Sequence, residues 1–363
     1  MRAKTIAAIV FLACIACSTK TLAQTLQFGC EPFDNSTGEE ETDVTACSKP
    51  MINRQSMANT SSSITHIIMD RLDMGPNQAE PAGLELTNAK DIAERLSGNG
   101  VILIAPTADV ATPAPTPNWN IWIDGKYSWL DDNLSSSDLD GSLINGVVGA
   151  DYKVSDRMVL GLMGTYETSD LEGAVGTTQD TDGWGGGAYM GLSLTDSLVL
   201  SATVMGTELD TDVNGTAEFD STRIQATSAL TGNFYSGTWR TSPSLTLAWS
   251  KEWQDPSVGL NAQTIETGII SPGLLIGNSI SIGGASTVEP WLGAQLDWVG
   301  INKVVDDVTG TILDDPYTDL RLQGGLNFAF GANAQLALTA EVSGLLYEDS
   351  DTYTAGANFA FQF

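Results

Sequence analysis

The sequence predicts an all-β protein: a transmembrane antiparallel β-barrel of about 12 strands, preceded by a short, partly helical N-terminal segment. Three observations lead there. From Trp119 onward, runs of residues alternate apolar and polar side chains, the period of an extended strand with unlike surroundings on its two faces. The connections between runs are of two kinds, long and acidic or short, the asymmetry of a barrel with long outer loops and short periplasmic turns. The chain ends on "AGANFAFQF", where Phe359, Phe361 and Phe363 share one face and Gly356, Asn358, Ala360 and Gln362 the other. Three rings exposed to water at a chain end invite aggregation, so their expected surrounding is lipid.

The opening residues, 1–23, have the pattern of a cleaved signal peptide. Arg2 and Lys4 make a basic start, Ile6 to Cys17 an apolar stretch too short to span a bilayer comfortably, and Thr21-Leu22-Ala23 a small-residue cleavage site. The residues before Cys17 lack the Leu of a lipid-attachment signal. Export leaves Cys30 and Cys47 as the mature cysteines, and an oxidising compartment favours one disulfide between them.

Residues 24–117 form a mixed segment, a short passenger or plug. Ile64, Ile67, Ile68 and Leu72 keep helical spacing. "LTNAKDIAERLSGNG" offers Thr87 or Asn88 as an N-cap and Gly98 as a stop. "APTADVATPAPTPN" is a Pro- and Ala-rich extended tether.

Residues 118–363 form the barrel. In "SLTLAWSKEW", Leu245, Leu247 and Trp249 oppose Ser244, Thr246, Ala248, Ser250 and Glu252. In "DLRLQGGLNFAF", Leu320, Leu322, Leu326, Phe328 and Phe330 oppose Asp319, Arg321, Gln323 and Asn327. In "QLALTAEVSGLL", Leu336, Leu338, Val342 and Leu346 oppose Gln335, Thr339, Glu341 and Ser343. A slip of one residue would place Arg321 in lipid at a cost of about 2–4 kcal/mol, so the register is well specified. Trp119, Trp122, Trp129, Trp239, Trp253 and Tyr166 fall toward strand ends, where interfacial girdles lie. The expected long connections include "TSDLEGAVGTTQDTDG" and "DTDVNGTAE"; the short ones include "SD" at Ser155 and "GAN" at Gly331. Pro272 and Pro290 are expected to interrupt strands between residues 263 and 299. With these registers Asp151, Arg157, Glu167, Arg223, Arg240, Glu252, Asp297, Arg321 and Glu341 face the lumen, and their mixed signs suit a hydrated pore or a network that grips a plug.

Composition narrows the function. Sixteen Lys and Arg stand against 45 Asp and Glu, a net charge of −29. That excludes nucleic acid, whose phosphates need cationic partners, and anionic lipid bound through a basic patch. His66, the only histidine, lies outside the barrel strands and reads as a surface residue, so the barrel wall holds no Ser–His or Asp–His pair for hydrolysis. Two mature cysteines and one histidine make no zinc site. The acidic stretches lack the spacing of a calcium loop and read as solvated negative loops. "GWGGGAYMG" has no Lys-Ser or Lys-Thr after it and is no phosphate loop; glycine in a barrel strand serves bending or close packing. No catalytic residue, metal or cofactor is expected.

The C-terminal part resembles the autotransporter translocator domain of type V secretion. The residues that carry the likeness are "WNIWIDGKYSWLDD", "NGVVGADYKVSDRMVLGLMGTYETSD", "DTDGWGGGAYMGLSLTDSLVLSATVMG", "VEPWLGAQLDW" and the terminal "NFAFQF". The resemblance implies a 12-strand barrel in the Gram-negative outer membrane that carries an N-terminal passenger across it. It implies that the barrel assembly machinery reads Gly356, Phe359, Phe361 and Phe363 as an assembly signal. It also implies a pore helix directly before the first strand, where this sequence is Pro-rich, and a long passenger, where fewer than about 100 residues precede the barrel, too few for a typical solenoid. The expected partners are outer-membrane lipid, the assembly machinery and the chain's own N-terminal segment, with the barrel a monomer. A stand-alone barrel whose N-terminal segment stays in the lumen or periplasm is the alternative; a surface adhesin has no motif in its favour.

Overall fold

The computed structural model describes residues 44–72, 118–132, 139–173, 177–257, 260–283, 285–310, 312–314, 316–331, 333–346 and 350–363. Among the described residues one helix, α1 (Val44–Arg71), precedes the strands. Twelve long strands follow: β1 (Trp119–Asp132), β2 (Leu139–Ser155), β3 (Met158–Gly173), β4 (Thr177–Thr195), β5 (Leu198–Val213), β6 (Ala217–Gly232), β8 (Trp239–Gln254), β9 (Gln263–Asn278), β11 (Ser286–Asp306), β13 (Tyr317–Phe330), β14 (Ala334–Ser343) and β15 (Ser350–Gln362). Three short strands, β7 (Phe234–Ser236), β10 (Ile280–Gly283) and β12 (Ile312–Asp314), extend hairpins at the rims.

Each long strand pairs antiparallel with its neighbours, and β1 pairs with β15, from Asn120 opposite Gln362 to Asp132 opposite Ser350. That last pairing closes the barrel and leaves no free edge, which lipid would not tolerate. The final residue is tied in: Phe363 donates its backbone N–H to Trp119 O at 3.0 Å, and Trp119 returns one to Phe363 O at 3.2 Å. Phe359, Phe361 and Phe363 point outward at 44–57 % exposure, while Asn358 and Ala360 are buried inside. Trp119 and Trp129 share the outer face of β1. The ten residue steps from one to the other, at about 3.3 Å each and tilted about 40°, span about 25 Å of height, the apolar band of an outer-membrane barrel.

Two expectations about connections are corrected. The stretches "TSDLEGAVGTTQDTDG" and "DTDVNGTAE" are not long loops: β3, β4, β5 and β6 run through most of them, with only residues 174–176 and 214–216 between strands. Asn214 and Gly215 have φ of 57° and 63°, the left-handed pair of a tight hairpin turn that matches strand twist. The carboxylates of these stretches, among them Asp170, Glu172, Asp180, Asp182, Asp210 and Glu218, are exposed on the outer face, which strand geometry accommodates as well as a loop does. Pro272 and Pro290 likewise do not end strands. Pro272 falls where the β9–β11 ladder skips between Ile270 opposite Trp298 and Gly273 opposite Gln295, and Pro290 falls just before that ladder begins at Trp291 opposite Gly277. A missing N–H is harmless where a ladder has a gap.

The lumen helix differs from expectation too. Its apolar stripe Ile64, Ile67, Ile68 and Leu72 packs on Trp122, Val147, Val159, Met163 and Tyr189 of the barrel wall. It begins well before that stripe, at Val44, and is separated from β1 by residues 73–117 instead of leading directly into it. No described helix is long and apolar enough to cross a membrane by itself; α1 lies within the strands, touching β1–β6, β8, β9 and β11. The expected signal peptide, the second helix near Thr87–Gly98, the Pro-rich tether and Cys30 lie outside the described residues. Cys47 lies on the backbone of α1, with its side chain outside them.

Candidate functional site

The chemistry of the molecule is concentrated where α1 meets the barrel wall. Every wall position in contact with it is set by strand alternation, which turns the polar face of each strand inward. At the outer rim, Lys49 Nζ donates to Thr211 Oγ1 at 3.0 Å and lies 3.5 Å from Glu252 Oε1. Arg54 sits over the Tyr317 ring at 5.4 Å and 3.5 Å from Asp319 Oδ2. Lower down, Arg223 binds Glu167 and donates to Asn53 Oδ1 at 2.8 Å; Ser56 Oγ donates to the same glutamate at 2.8 Å. Asn59 Nδ2 donates to Asn145 Oδ1 at 2.6 Å, and Lys126 Nζ to the Asn59 carbonyl at 2.6 Å. Ser63 Oγ donates to Asp124 Oδ1 at 2.8 Å.

At the inner end Arg71 latches the helix to the wall through three partners. Its Nε donates to Asp151 Oδ1 at 2.7 Å, Nη1 to Gln362 Oε1 at 3.1 Å and Nη2 to the Asn118 carbonyl at 2.9 Å. Asp151 Oδ2 accepts from Asn120 Nδ2 and from Tyr189 Oη, each at 2.9 Å, and Tyr189 Oη accepts from Trp122 Nε1 at 2.7 Å. This network needs bare backbone beside it. A Cβ on Gly149 would strike Trp122, one on Gly161 would strike Tyr189, and one on Gly191 would strike Ile68. The last belongs to the run "GWGGGAYMG", whose inward glycines flatten the wall for close packing.

The sequence-derived lumen charges fall into three groups. Asp151, Glu167, Arg223 and Glu252 meet α1 directly. Asp297, Arg321 and Glu341 form a network on the β11–β13–β14 wall, with Arg321 Nη2 2.8 Å from Asp297 Oδ2 and Nη1 3.1 Å from Glu341 Oε1. Arg240 pairs with Glu289 near the inner rim. Arg157 is a correction: it lies in the turn between β2 and β3, its side chain 67 % exposed and 3.9 Å from Asp196, because the turn ends the alternation that would have aimed it inward. Trp122 is another: it is buried in the lumen and not part of a girdle. His66 is half-buried in the lumen and shares a hydrogen bond with Asn327 Oδ1 at 3.0 Å, so it is no surface residue. The helix cations Lys49, Arg54 and Arg71, and the wall residues Asp124, Lys126, Lys153, Glu289 and Asp319, are further inward charges among the described residues. The wall members were within reach of the alternation rule; the cations of α1 carried no pattern to mark them. Among the described residues no three His, Cys, Asp or Glu side chains are placed to hold a metal.

The polarity of α1 is well defined. Its start, near Lys49, lies with the outer ends of β5 and β8, and its end, at Arg71, lies with Asn118 and Gln362 at the rim of the short turns.

The family described as the autotransporter beta-domain matches residues 121–343. No curated protein matches the sequence significantly. The fold is that of solved translocator barrels. The translocator domain of the autotransporter NalP from Neisseria meningitidis is 12 % identical, with 76 % of this chain and 96 % of that one covered and a TM-score of 0.53. The beta domain of the Bordetella autotransporter BrkA is 15 % identical over 68 % of this chain and all of that one, with a TM-score of 0.55. The transport unit of AIDA-I from Escherichia coli is 12 % identical, with 76 % and 98 % covered and a TM-score of 0.53.

Proposed function

This chain belongs to the autotransporter beta-domain family and is a Gram-negative outer-membrane β-barrel, and from that premise we propose that it anchors its own N-terminal segment and carries the start of that segment to the cell surface. The observation that carries the reading is the direction of α1: Lys49 lies toward the outer rim and Arg71 at the periplasmic rim. A chain exported tail-last through the barrel would come to rest in that direction. In this reading residues 1–23 are a cleaved signal, 24–117 hold the exported piece, the plug and a link, and 118–363 are the membrane anchor. The plug is held by cations of α1 set against wall carboxylates at three heights. No catalysis is proposed; the barrel of this family is not enzymatic as a domain. Lipid surrounds the outer face, the assembly machinery reads Gly356 with the terminal Phe359, Phe361 and Phe363, and the barrel is a monomer.

The second reading, a stand-alone barrel whose N-terminal segment never leaves the cell, makes a different prediction for one experiment. An epitope tag placed after Gln24 is lost when intact cells are treated with protease, while the barrel stays in the outer membrane. A tag that is cleaved only after the outer membrane is permeabilised refutes surface display and leaves α1 as a plug inserted from within.

A further inference from the structure

The helix does not fill the barrel evenly. Its outer half is enclosed on all sides: Asp319, Glu252 and Ser250 are fully buried, and Met57 closes the lumen against Ile269 and Val299, with Tyr317 packed on them. Below Met57 the helix leans on β1–β6, and a cavity of about 280 Å³ opens between it and the wall of β8 to β14. The residues around its lower part, Thr231, Tyr235, Arg240, Ser279 and Gln335, lie at the inner ends of their strands, so the mouth faces the periplasm. Among the described residues the cavity is therefore blind, entered from one side and stopped by an apolar collar. A dead end of this kind holds a ligand; it does not conduct one.

Its lining specifies the ligand. Ser61 and Thr65 of α1 look across at Ser244, Thr246 and Ser271 of the wall, and Gln295, Gln323 and Asn327 add amides. The four formal charges that border it are already matched, Arg240 with Glu289 at the mouth and Arg321 with Asp297 at the floor. An ionic ligand would find no free countercharge there. Trp291 supplies an aromatic ring with its Nε1 committed to Asn327 Oδ1 at 3.2 Å. Thr231, nine-tenths buried and on the cavity wall, has a hydroxyl with no partner among the described residues. Met57, Met69, Ile269 and Trp291 help make most of the lining apolar, with hydroxyls and amides on facing walls and the charges paired; that mixture suits a neutral polyhydroxylated molecule, whose ring faces are apolar and whose hydroxyls each donate and accept. The space equals about nine waters at about 30 Å³ each, enough for one or two sugar rings.

We propose that this periplasm-facing vestibule is a binding site for a neutral sugar of one or two rings. The test is calorimetric titration of the full-length protein in a detergent without a sugar headgroup, with N-acetylglucosamine and maltose as probes and sodium phosphate as the ionic comparison. Saturable binding of at least one sugar is expected, weakened at least tenfold by Trp291→Leu and by Thr246→Trp, which fills the space. Both variants must retain the heat-shifted gel mobility of a folded barrel; if either does not, Ser244→Met replaces it as the filling variant. No saturable heat with either sugar, a water-filled cavity only, would overturn the proposal. So would binding that the folded variants leave unchanged, or phosphate binding in place of sugar.

Discussion

At the scale of single residues, the lumen is a set of buried charges whose partners decide whether they stabilise the protein. Removing one member of such a pair strands the other away from water, at about 3–5 kcal/mol, more than the pair itself contributes. Arg321→Leu leaves Asp297 without its cation and is expected to lose stability of that order in urea unfolding; unchanged stability would show that the network bears no load. Arg71→Leu is expected to be at least as damaging, because Asp151 then keeps only the neutral donors Asn120 and Tyr189. Gly191→Val puts bulk where Ile68 sits, and overpacking of this kind costs about 1–3 kcal/mol. Its effect should vanish in a variant lacking residues 44–72, since the collision is with the helix; an equal loss without the helix would mean that the glycine serves the strand instead.

At the scale of elements, strands were legible and the helix was not, for one reason. A barrel strand separates lipid from a polar lumen, so Leu320, Leu322 and Leu326 alternate visibly with Asp319, Arg321 and Gln323. The helix has polar wall on most sides, so its upper turns, "NRQSMANTSSS", carry Asn53, Gln55, Ser56 and Asn59 inward and show no apolar stripe; only Ile64 to Leu72, which meet Trp122 and Tyr189, do. The acidic strand extensions misled for the converse reason, since outward carboxylates satisfy water in strand and loop alike. Carboxylates at two outer strand ends, Asp180 of β4 and Asp306 of β11, respond to pH in opposite directions. Slight desolvation, with Asp170, Asp212 and Asp182 alongside, pushes the Asp180 carboxyl above its usual range. Its charge therefore weakens the folded state at neutral pH, and the penalty is relieved as pH falls through the raised value. The protection factors of amides in the β3–β5 extensions, corrected for the intrinsic pH dependence of exchange, are expected to rise on mild acidification, and Asp180→Asn to remove that rise. Asp306 behaves inversely. Burial alone would raise it, but the N–H groups of Thr309 and Val308 and the Asn261 amide hold it low. Its contribution is complete above the unfolded value, about 3.9, and is lost as pH falls through the lower folded one. Asp306→Ala is expected to loosen residues 307–310 at neutral pH, read as faster exchange there.

At the scale of the whole molecule, the plug and the barrel are electrostatic complements. Deleting residues 44–72 should leave a folded barrel with an open, acid-lined lumen, visible as a rise in planar-bilayer conductance with preference for cations; conductance equal to the intact chain would mean that α1 does not seal the pore. The same layout settles a question of parity. A barrel with an even number of strands returns the chain to the side it left, as Trp119 and Phe363 show by bonding to each other. The helix adds one more traverse, so the count becomes odd. Val44 and the C-terminal strand end are thereby assigned to opposite faces of the membrane, and the chain ends at Leu72 and Asn118 share the face of the latter. A label on each of these places would report two sides from one polypeptide, with the barrel as the fixed reference between them.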